Sequence, residues 1–404
     1  MESKKKRDLA SIATIPLGMT LANSMLIPVI PMMQKVLGIN SLQASLIITS
    51  YAVIAIFFIP VTGYLSDRIG RKKVILPGLL LVAAAGGFAG WAATFCDHPY
   101  RLILWSRLLQ GLGAAACFPV VLPLVGDLFR NEDDVSNGLG IVETANTFGK
   151  VLSPVLGSAL ALWAWYIPFW AIPAISLISF ILVAAWVKVP KESKQAMPFK
   201  PFVDSIKSIY RQKGSWIWAI YAAGGISMFV LFGTLFFLSE TLEQKGIDGI
   251  GKGGLLAIPL AGLCTASWLV GKWIGQKKQL MKWIGVAGFL VAAACLLGLG
   301  LLKKDSTIVI IGFLFAASIG LGAALPCIDA LLTEGIDKEQ RGTVMSFYSS
   351  IRFLGVAAGP PFTAWIISRS PSVFYLTLCA SCFAATLVAW FLIKPEQDEK
   401  NNTA

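Results

Sequence analysis

Three residues of one apolar stretch, Glu143, Asn146 and Lys150, stand at i, i+3 and i+7, a spacing that stacks them on one face of a helix. An acid, an amide and an ammonium so placed can hold a polar ligand or pass a proton, and ionisable groups inside apolar segments point to function. At about 1.5 Å per residue, Lys150 falls roughly 18 Å into a helix starting near Gly138, close to the middle of a bilayer. Arg352 is as deep in a later stretch, and Arg107 interrupts another. Against these three cations the sequence sets one clearly embedded acid, Glu143. Asp127 and Asp329 are expected near cytoplasmic helix ends, and Glu240 near an outer end. That balance suits an anionic or zwitterionic amphiphile, such as a catecholate siderophore or an acidic metabolite, better than a lipophilic cation. Glu143 is the expected proton carrier, titrating as a pair with Lys150 on the same face.

Other chemistries find little support. The seven cysteines (Cys96, Cys117, Cys264, Cys295, Cys327, Cys379, Cys382) fall inside apolar runs without metal-site spacing and read as small buried hydrophobes. The single histidine, His98, sits beside Pro99 in a short loop. With no phosphate-binding loop and no nucleophile elbow, no catalytic residue, metal or cofactor is expected, and ATP-driven transport is disfavoured.

The elements that must position these residues follow from composition. Of 404 residues 56% are hydrophobic and 14% charged, with a mean hydropathy of +0.72, whereas soluble chains carry about 25% charged residues. Uncharged runs long enough to cross a bilayer predict an all-α membrane protein of twelve spans, near 9–33, 41–66, 74–96, 102–126, 138–162, 165–187, 214–239, 253–271, 283–302, 306–329, 342–368 and 370–393. The uncharged stretch 151–187 is too long for one helix and is divided at a hairpin near Trp163–Pro168. Lys4–Arg7 resembles the start of a signal peptide, but the run after it is too long and lacks a cleavage site, so it is kept as a span.

Basic residues split 24 to seven between the two sides, which places both termini in the cytoplasm of a multi-pass plasma-membrane protein. The same bias accounts for the net charge of +12 without a nucleic-acid partner. The hydrophilic segment 188–213 divides the chain into six-helix halves, 1–187 and 214–404. In its second part Phe202, Val203, Ile206, Ile209 and Tyr210 form an amphipathic pattern, which predicts a helix on the inner leaflet; a flexible linker is the alternative for the first part. The halves repeat: Gly111-Leu-Gly-Ala-Ala returns as Gly320-Leu-Gly-Ala-Ala, and Gly149-Lys-Val-Leu-Ser-Pro154 as Gly355-Val-Ala-Ala-Gly-Pro360. Two such halves around a midplane cavity form a rocking transporter.

Between the second and third spans the chain reads Gly63-Tyr-Leu65-Ser-Asp67-Arg68-Ile-Gly70-Arg71-Lys72-Lys73. This resembles the inner-loop signature of the major facilitator superfamily, Gly-x-Leu-x-Asp-Arg-x-Gly-Arg-Arg/Lys, at every position. Gly63 and Gly70 permit close helix approach and a tight turn, and Asp67 can pair with Arg71. The resemblance implies a conformational latch made of Gly63, Asp67, Arg68, Gly70 and Arg71. The second half has no acid in the corresponding loop, Gly271 to Lys278. Arg107-Leu-Leu-Gln110-Gly111-Leu-Gly113 is similar to the family's buried-arginine motif, associated with proton transfer. A guanidinium in lipid costs at least about 2.5 kcal/mol, so Arg107 should face the interior and have a partner. Gly149, Ser153, Pro154 and Gly157 resemble the family's antiporter motif, with Ser153 and Ser158 in place of two glycines. Both substitutes are small, so the ridge still lets a helix approach.

The resemblance covers essentially the whole chain. It implies a proton-coupled efflux antiporter for small amphiphiles (drugs, siderophores or metabolites), working as a monomer by alternating access and driven by the proton motive force. A proton-coupled symporter or uniporter for nutrient uptake is the alternative, and a non-transporting receptor or scaffold a remote one.

Overall fold

The computed structural model describes residues 3–129, 132–188, 199–275, 277–302, 306–336, 338–367 and 370–393, and the regular structure among them is all helical. The first crossing is broken into α1 (Ser3–Ser24), a single 3-10 turn (Ile27–Val29) and α2 (Ile30–Leu37). Pro28 and Pro31 stand at the starts of the last two pieces, where a missing N–H is tolerated. Then follow α3 (Ser41–Ile69), α4 (Arg71–Phe95), α5 (Tyr100–Leu128), α6 (Glu132–Ala161), α7 (Ile167–Trp186), α8 (Phe199–Gln244), α9 (Gly249–Trp273), α10 (Lys278–Leu302), α11 (Thr307–Glu334), α12 (Lys338–Ile367) and α13 (Pro371–Leu392).

Eleven of the twelve crossings are long and apolar enough to span a membrane. The other, α6, carries Glu143, Asn146 and Lys150 and packs between α1 and α9, with Asn146 and Lys150 partly buried and Glu143 exposed. The α6–α7 turn falls at the expected hairpin. One boundary differs from the sequence reading: the second part of the 188–213 segment is continuous with the seventh crossing, and α8 runs unbroken for 46 residues. No proline or capping signal lies between Phe202 and Gln244 to stop it. Pro190 and Pro198 of that segment lie outside the described residues, as do Arg130, Lys303, Lys304, Arg369, Lys394 and Lys400 of the charge split. The side chains of Phe202, Val203, Ile206 and Ile209, which carry the amphipathic pattern, also lie outside them.

Small residues set the helix spacing. On α6, a Cβ at Gly149 would touch Leu17 and Thr20, and one at Gly157 would meet the Met25 carbonyl; Ser153 between them is fully buried. This ridge therefore lies on the first crossing. Shifted by 206 residues, Gly355, Gly359 and Thr363 of α12 lie in the same way on α8: Gly355 faces the Gly225 carbonyl, and Thr363 donates to the Gly233 carbonyl at 3.2 Å. The other repeat is less regular. Gly111 faces α3 and Gly113 faces α4, but Gly320 faces α10 and Gly322 faces α9, so the two glycines exchange roles between the halves.

The halves meet along α3 with α12 and along α6 with α9. Thr49 of α3 donates to the Ala357 carbonyl of α12 at 2.8 Å. Gly63 lets α3 approach Ser346, and Gly253 of α9 faces the Pro154 carbonyl and Ser158 of α6.

Candidate functional site

The polar face of α6 and the facing parts of α11 and α12 form one charged cluster between the halves. Asn146 bridges within α6: it accepts from Thr20 of α1 at 2.6 Å and donates to the Glu143 carboxylate at 3.2 Å. Glu143 is exposed, and Lys150 is partly buried two turns further along. The two are not in ion-pair contact, and among the described residues no carboxylate lies within 4.0 Å of the Lys150 ammonium. Lys150 instead borders a pocket whose wall is mostly apolar, from Ile27, Pro154, Leu231, Phe232 and Leu256, with Ser24 and Ser153 beside it. In this conformation the pocket has room for little more than a water molecule, so an amphiphile with one negative end could seat against ammonium and apolar wall only after the halves part.

Across the cluster, Arg352 pairs with Asp329 at 3.4 Å and lies over the Tyr348 ring at 5.5 Å. The Tyr348 hydroxyl donates to the other Asp329 oxygen at 2.6 Å. Glu143, Lys150, Asp329 and Arg352 lie within electrostatic reach of one another. Asp329 lies five residues before the end of α11, near a helix end as expected, yet it reaches Arg352 of α12, so one of the three cations has an acid partner that the sequence did not pair with it. Sequence reasoning missed Tyr348, although its i, i+4 relation to Arg352 on α12 was a usable signal.

Arg107 is buried completely and lies outside this cavity. Its guanidinium donates to the carbonyls of Ile47 at 2.9 Å and Ala22 at 3.1 Å, to Asn23 at 2.7 Å and to Gln110. The Tyr51 ring covers it at 4.6 Å. All these partners are neutral. The arginine thus has the interior position and the partners expected of it, and it ties α5 to α1 and α3.

Charged groups also gather at both ends of the bundle. At the proximal end, which carries the start of α1 and the α3–α4 turn, Gly70 has φ +104°, which glycine alone takes easily. Arg71 beside it pairs with Asp67 and with Asp127 at 3.1 Å, and donates to Ser66 at 2.8 Å. Arg68, the remaining latch candidate, is exposed in the last turn of α3. At the distal end, which carries the α2–α3 and α8–α9 turns, Glu243 of α8 meets Lys35 of α2 at 2.5 Å and Lys252 of α9 at 3.0 Å. Glu240 accepts from Gln34 and, at 3.3 Å, from Ser41. Ser239 donates to the Ile27 carbonyl at 2.9 Å. Lys252, counted as a loop charge in the sequence, is only 2% exposed, because α9 begins at Gly249 and draws it inward. No local pattern links α2 to α8, so this clasp was invisible in the sequence.

Comparisons with known proteins agree with this architecture. A family model described as Major Facilitator Superfamily matches residues 12–360 and 282–404. The chain is 48% identical to the bacillibactin exporter of Bacillus subtilis (strain 168), over 98% of this chain and 99% of that protein. It is 25% identical to the multidrug efflux protein YfmO of the same organism, over 82% and 79% of the two chains. The crystal structure of the human organic anion transporter MFSD10 (TETRAN) superposes with a TM-score of 0.74 at 19% identity, covering 96% of this chain and all of the other, a likeness of fold.

Proposed function

The chain belongs to the major facilitator superfamily, and from that premise we propose that it is a proton-coupled exporter whose cargo is bacillibactin or another anionic amphiphile. It is a multi-pass membrane transporter rather than an enzyme. The observation that carries the cargo reading is Lys150: an ammonium with no carboxylate in contact among the described residues, bordering an apolar pocket at the junction of the halves. A cation kept in so apolar a setting is costly without a counter-charge, and a bound carboxylate or phenolate supplies one while its apolar body covers the wall. The 48% identity to a bacillibactin exporter supports the same cargo and the outward direction.

The two halves rock about the cavity, with the distal clasp closed and then parted. The basic excess on the proximal side supports a cytoplasmic proximal end, so parting the halves there would admit cargo from the cytoplasm. Glu143 is exposed, touches Asn146 and lies in electrostatic reach of Lys150, so it is the group best placed to exchange a proton while cargo is present. Asp127 is already held by Arg71 at the proximal end and is a weaker candidate.

Proteoliposomes carrying the full chain and a pH-sensitive dye inside test this reading. Bacillibactin should provoke proton movement, and a lipophilic cation such as tetraphenylphosphonium should provoke little. Lys150→Gln should weaken the bacillibactin response about tenfold, the scale of one lost charge contact, and Glu143→Gln should abolish proton movement while binding persists. Robust cation export that is unaffected by Lys150→Gln would identify a general drug exporter. Proton flux that persists in Glu143→Gln would transfer the coupling role to Asp329.

A further inference from the structure

Lys150 and Arg352, the two cations of the charged cluster, are not equally available. Lys150 touches no carboxylate among the described residues, whereas Arg352 is already engaged by Asp329. That engagement is a loose one. Its N–O separation is 3.4 Å, against about 2.7–2.9 Å for a strong charge-assisted hydrogen bond. The side chains of Arg352 and Asp329 are 23% and 33% exposed, so solvent reaches both. Arg107 shows the opposite design, with every described contact short, the side chain sealed and no acid among its partners.

Asp329 also has a second anchor. The Tyr348 hydroxyl holds its other oxygen at 2.6 Å, so a carboxylate that lets go of Arg352 keeps a short hydrogen bond and access to water. Arg352 in turn keeps the Tyr348 ring beneath it. Exchanging one anion for another on a guanidinium so placed strands neither residue, and the large penalty of breaking a buried pair does not apply. Among the described residues, Glu143 and Lys150 from α6, Tyr348 from α12 and the Cys327 thiol of α11 are ionisable groups within electrostatic reach of the pair.

We propose that Asp329 is an internal stand-in for anionic cargo: it occupies Arg352 in the absence of cargo and is displaced when an acidic group of the cargo takes its place. This rests on the anionic-cargo reading above and deepens it. Lys150 is then the first contact of the cargo and Arg352 a conditional second one, reached by a molecule with a second negative group that can outcompete a tethered carboxylate. Neutral and cationic molecules leave the Asp329–Arg352 pair intact, so the pair acts as a filter on charge. Asp329 is accordingly a specificity-determining residue whose removal should strengthen binding.

Equilibrium binding of bacillibactin and of tetraphenylphosphonium to the full chain in lipid nanodiscs, for wild type, Asp329→Asn, Arg352→Gln and the double variant, tests this directly. The asparagine carbonyl can still accept from Tyr348, so the fold is preserved, and an unchanged thermal midpoint checks it. Asp329→Asn should tighten bacillibactin about tenfold and Arg352→Gln weaken it by a similar factor. The double variant should match Arg352→Gln, because removing the competitor matters only while Arg352 is present. Tetraphenylphosphonium affinity should not tighten in Asp329→Asn. Wild-type binding of bacillibactin that is unchanged or weakened by Asp329→Asn overturns the stand-in role and leaves the cargo reading standing. Failure of the wild type to bind bacillibactin, with tetraphenylphosphonium bound, overturns the cargo reading and the stand-in with it.

Discussion

At the proximal end Arg71 gathers Asp67, Ser66 and Asp127, all from α3 and α5 of its own half. At the distal end Glu243 gathers Lys35 from one half and Lys252 from the other, while Glu240 accepts from Gln34 and Ser41 of the opposite half. The chemistry is similar and the wiring is not. The contacts to Lys35, Gln34 and Ser41 cross the seam between the halves, whereas the Glu243–Lys252 pair lies within one half, so parting that end would break the former. The Arg71 contacts fix the angle between α3, α4 and α5, and what crosses the seam there is a close approach of small residues, Gly63 against Ser346. Burial differs in the same sense: Lys252 and Glu240 are sealed, whereas the Asp67 side chain is 45% exposed.

The contrast can be broken most forcefully at Glu243. Glu243→Gln leaves the buried Lys252 without its counter-charge, a situation worth about 3 kcal/mol, and parting the distal end rehydrates it. The distribution of spin-label distances between positions 36 and 250, both exposed in wild type, should shift toward the parted state about a hundredfold. An unchanged distribution would mean that the clasp does not hold the end closed.

Glycine substitutions give the next largest effect. A Cβ at Gly253 would stand 2.6 Å from the Pro154 carbonyl, which is backbone and cannot move aside, whereas one at Gly63 would meet only the Ser346 hydroxyl, which can rotate. Gly253→Ala should therefore lower stability by about 2 kcal/mol and Gly63→Ala by less than about 1 kcal/mol, after the gain in helix propensity common to both. Thermal unfolding in detergent distinguishes them.

Asp67→Asn tests the latch. The pair is half-exposed, so its loss should cost no more than about 1 kcal/mol of stability, while cargo efflux falls about tenfold as the α3–α4–α5 angle loosens. Efflux at the wild-type rate at matched membrane abundance would remove the latch role. The smallest effect belongs to Lys35, whose side chain is 69% exposed. Lys35→Gln should shift the distal spin-label distribution by less than about fivefold, and high salt should mimic it, because exposed pairs are screened and buried ones are not.

Much of this was legible along the chain. The glycines and acid of the α3–α4 turn, the small-residue ridge of α6 and the i, i+3, i+7 face all depend on residues close in sequence, and each lies where helical periodicity puts it. The Asp329–Arg352 pair was not readable, because its partners stand on different helices and their meeting depends on how α11 is rotated against α12. The distal clasp was hidden for a different reason. Its partners across the halves are about 200 residues apart and carry no motif, since ordinary Lys and Glu at helix ends read as interfacial charge.

The sequence by itself determined the number of crossings, the helical class, the repeat and the family, because burial in lipid obliges every crossing to satisfy its own backbone and to keep an apolar length. Tertiary structure decided which charges meet between segments distant in sequence, whereas the Asp67–Arg71 pair was readable from its spacing. An ion pair in a membrane protein forms between helices, and whether a side chain faces lipid, a neighbour or the cavity depends on the rotation of each helix against its partners. Hence Arg107 is enclosed by neutral groups, Arg352 is held by Asp329, and Lys150 is left facing the apolar pocket.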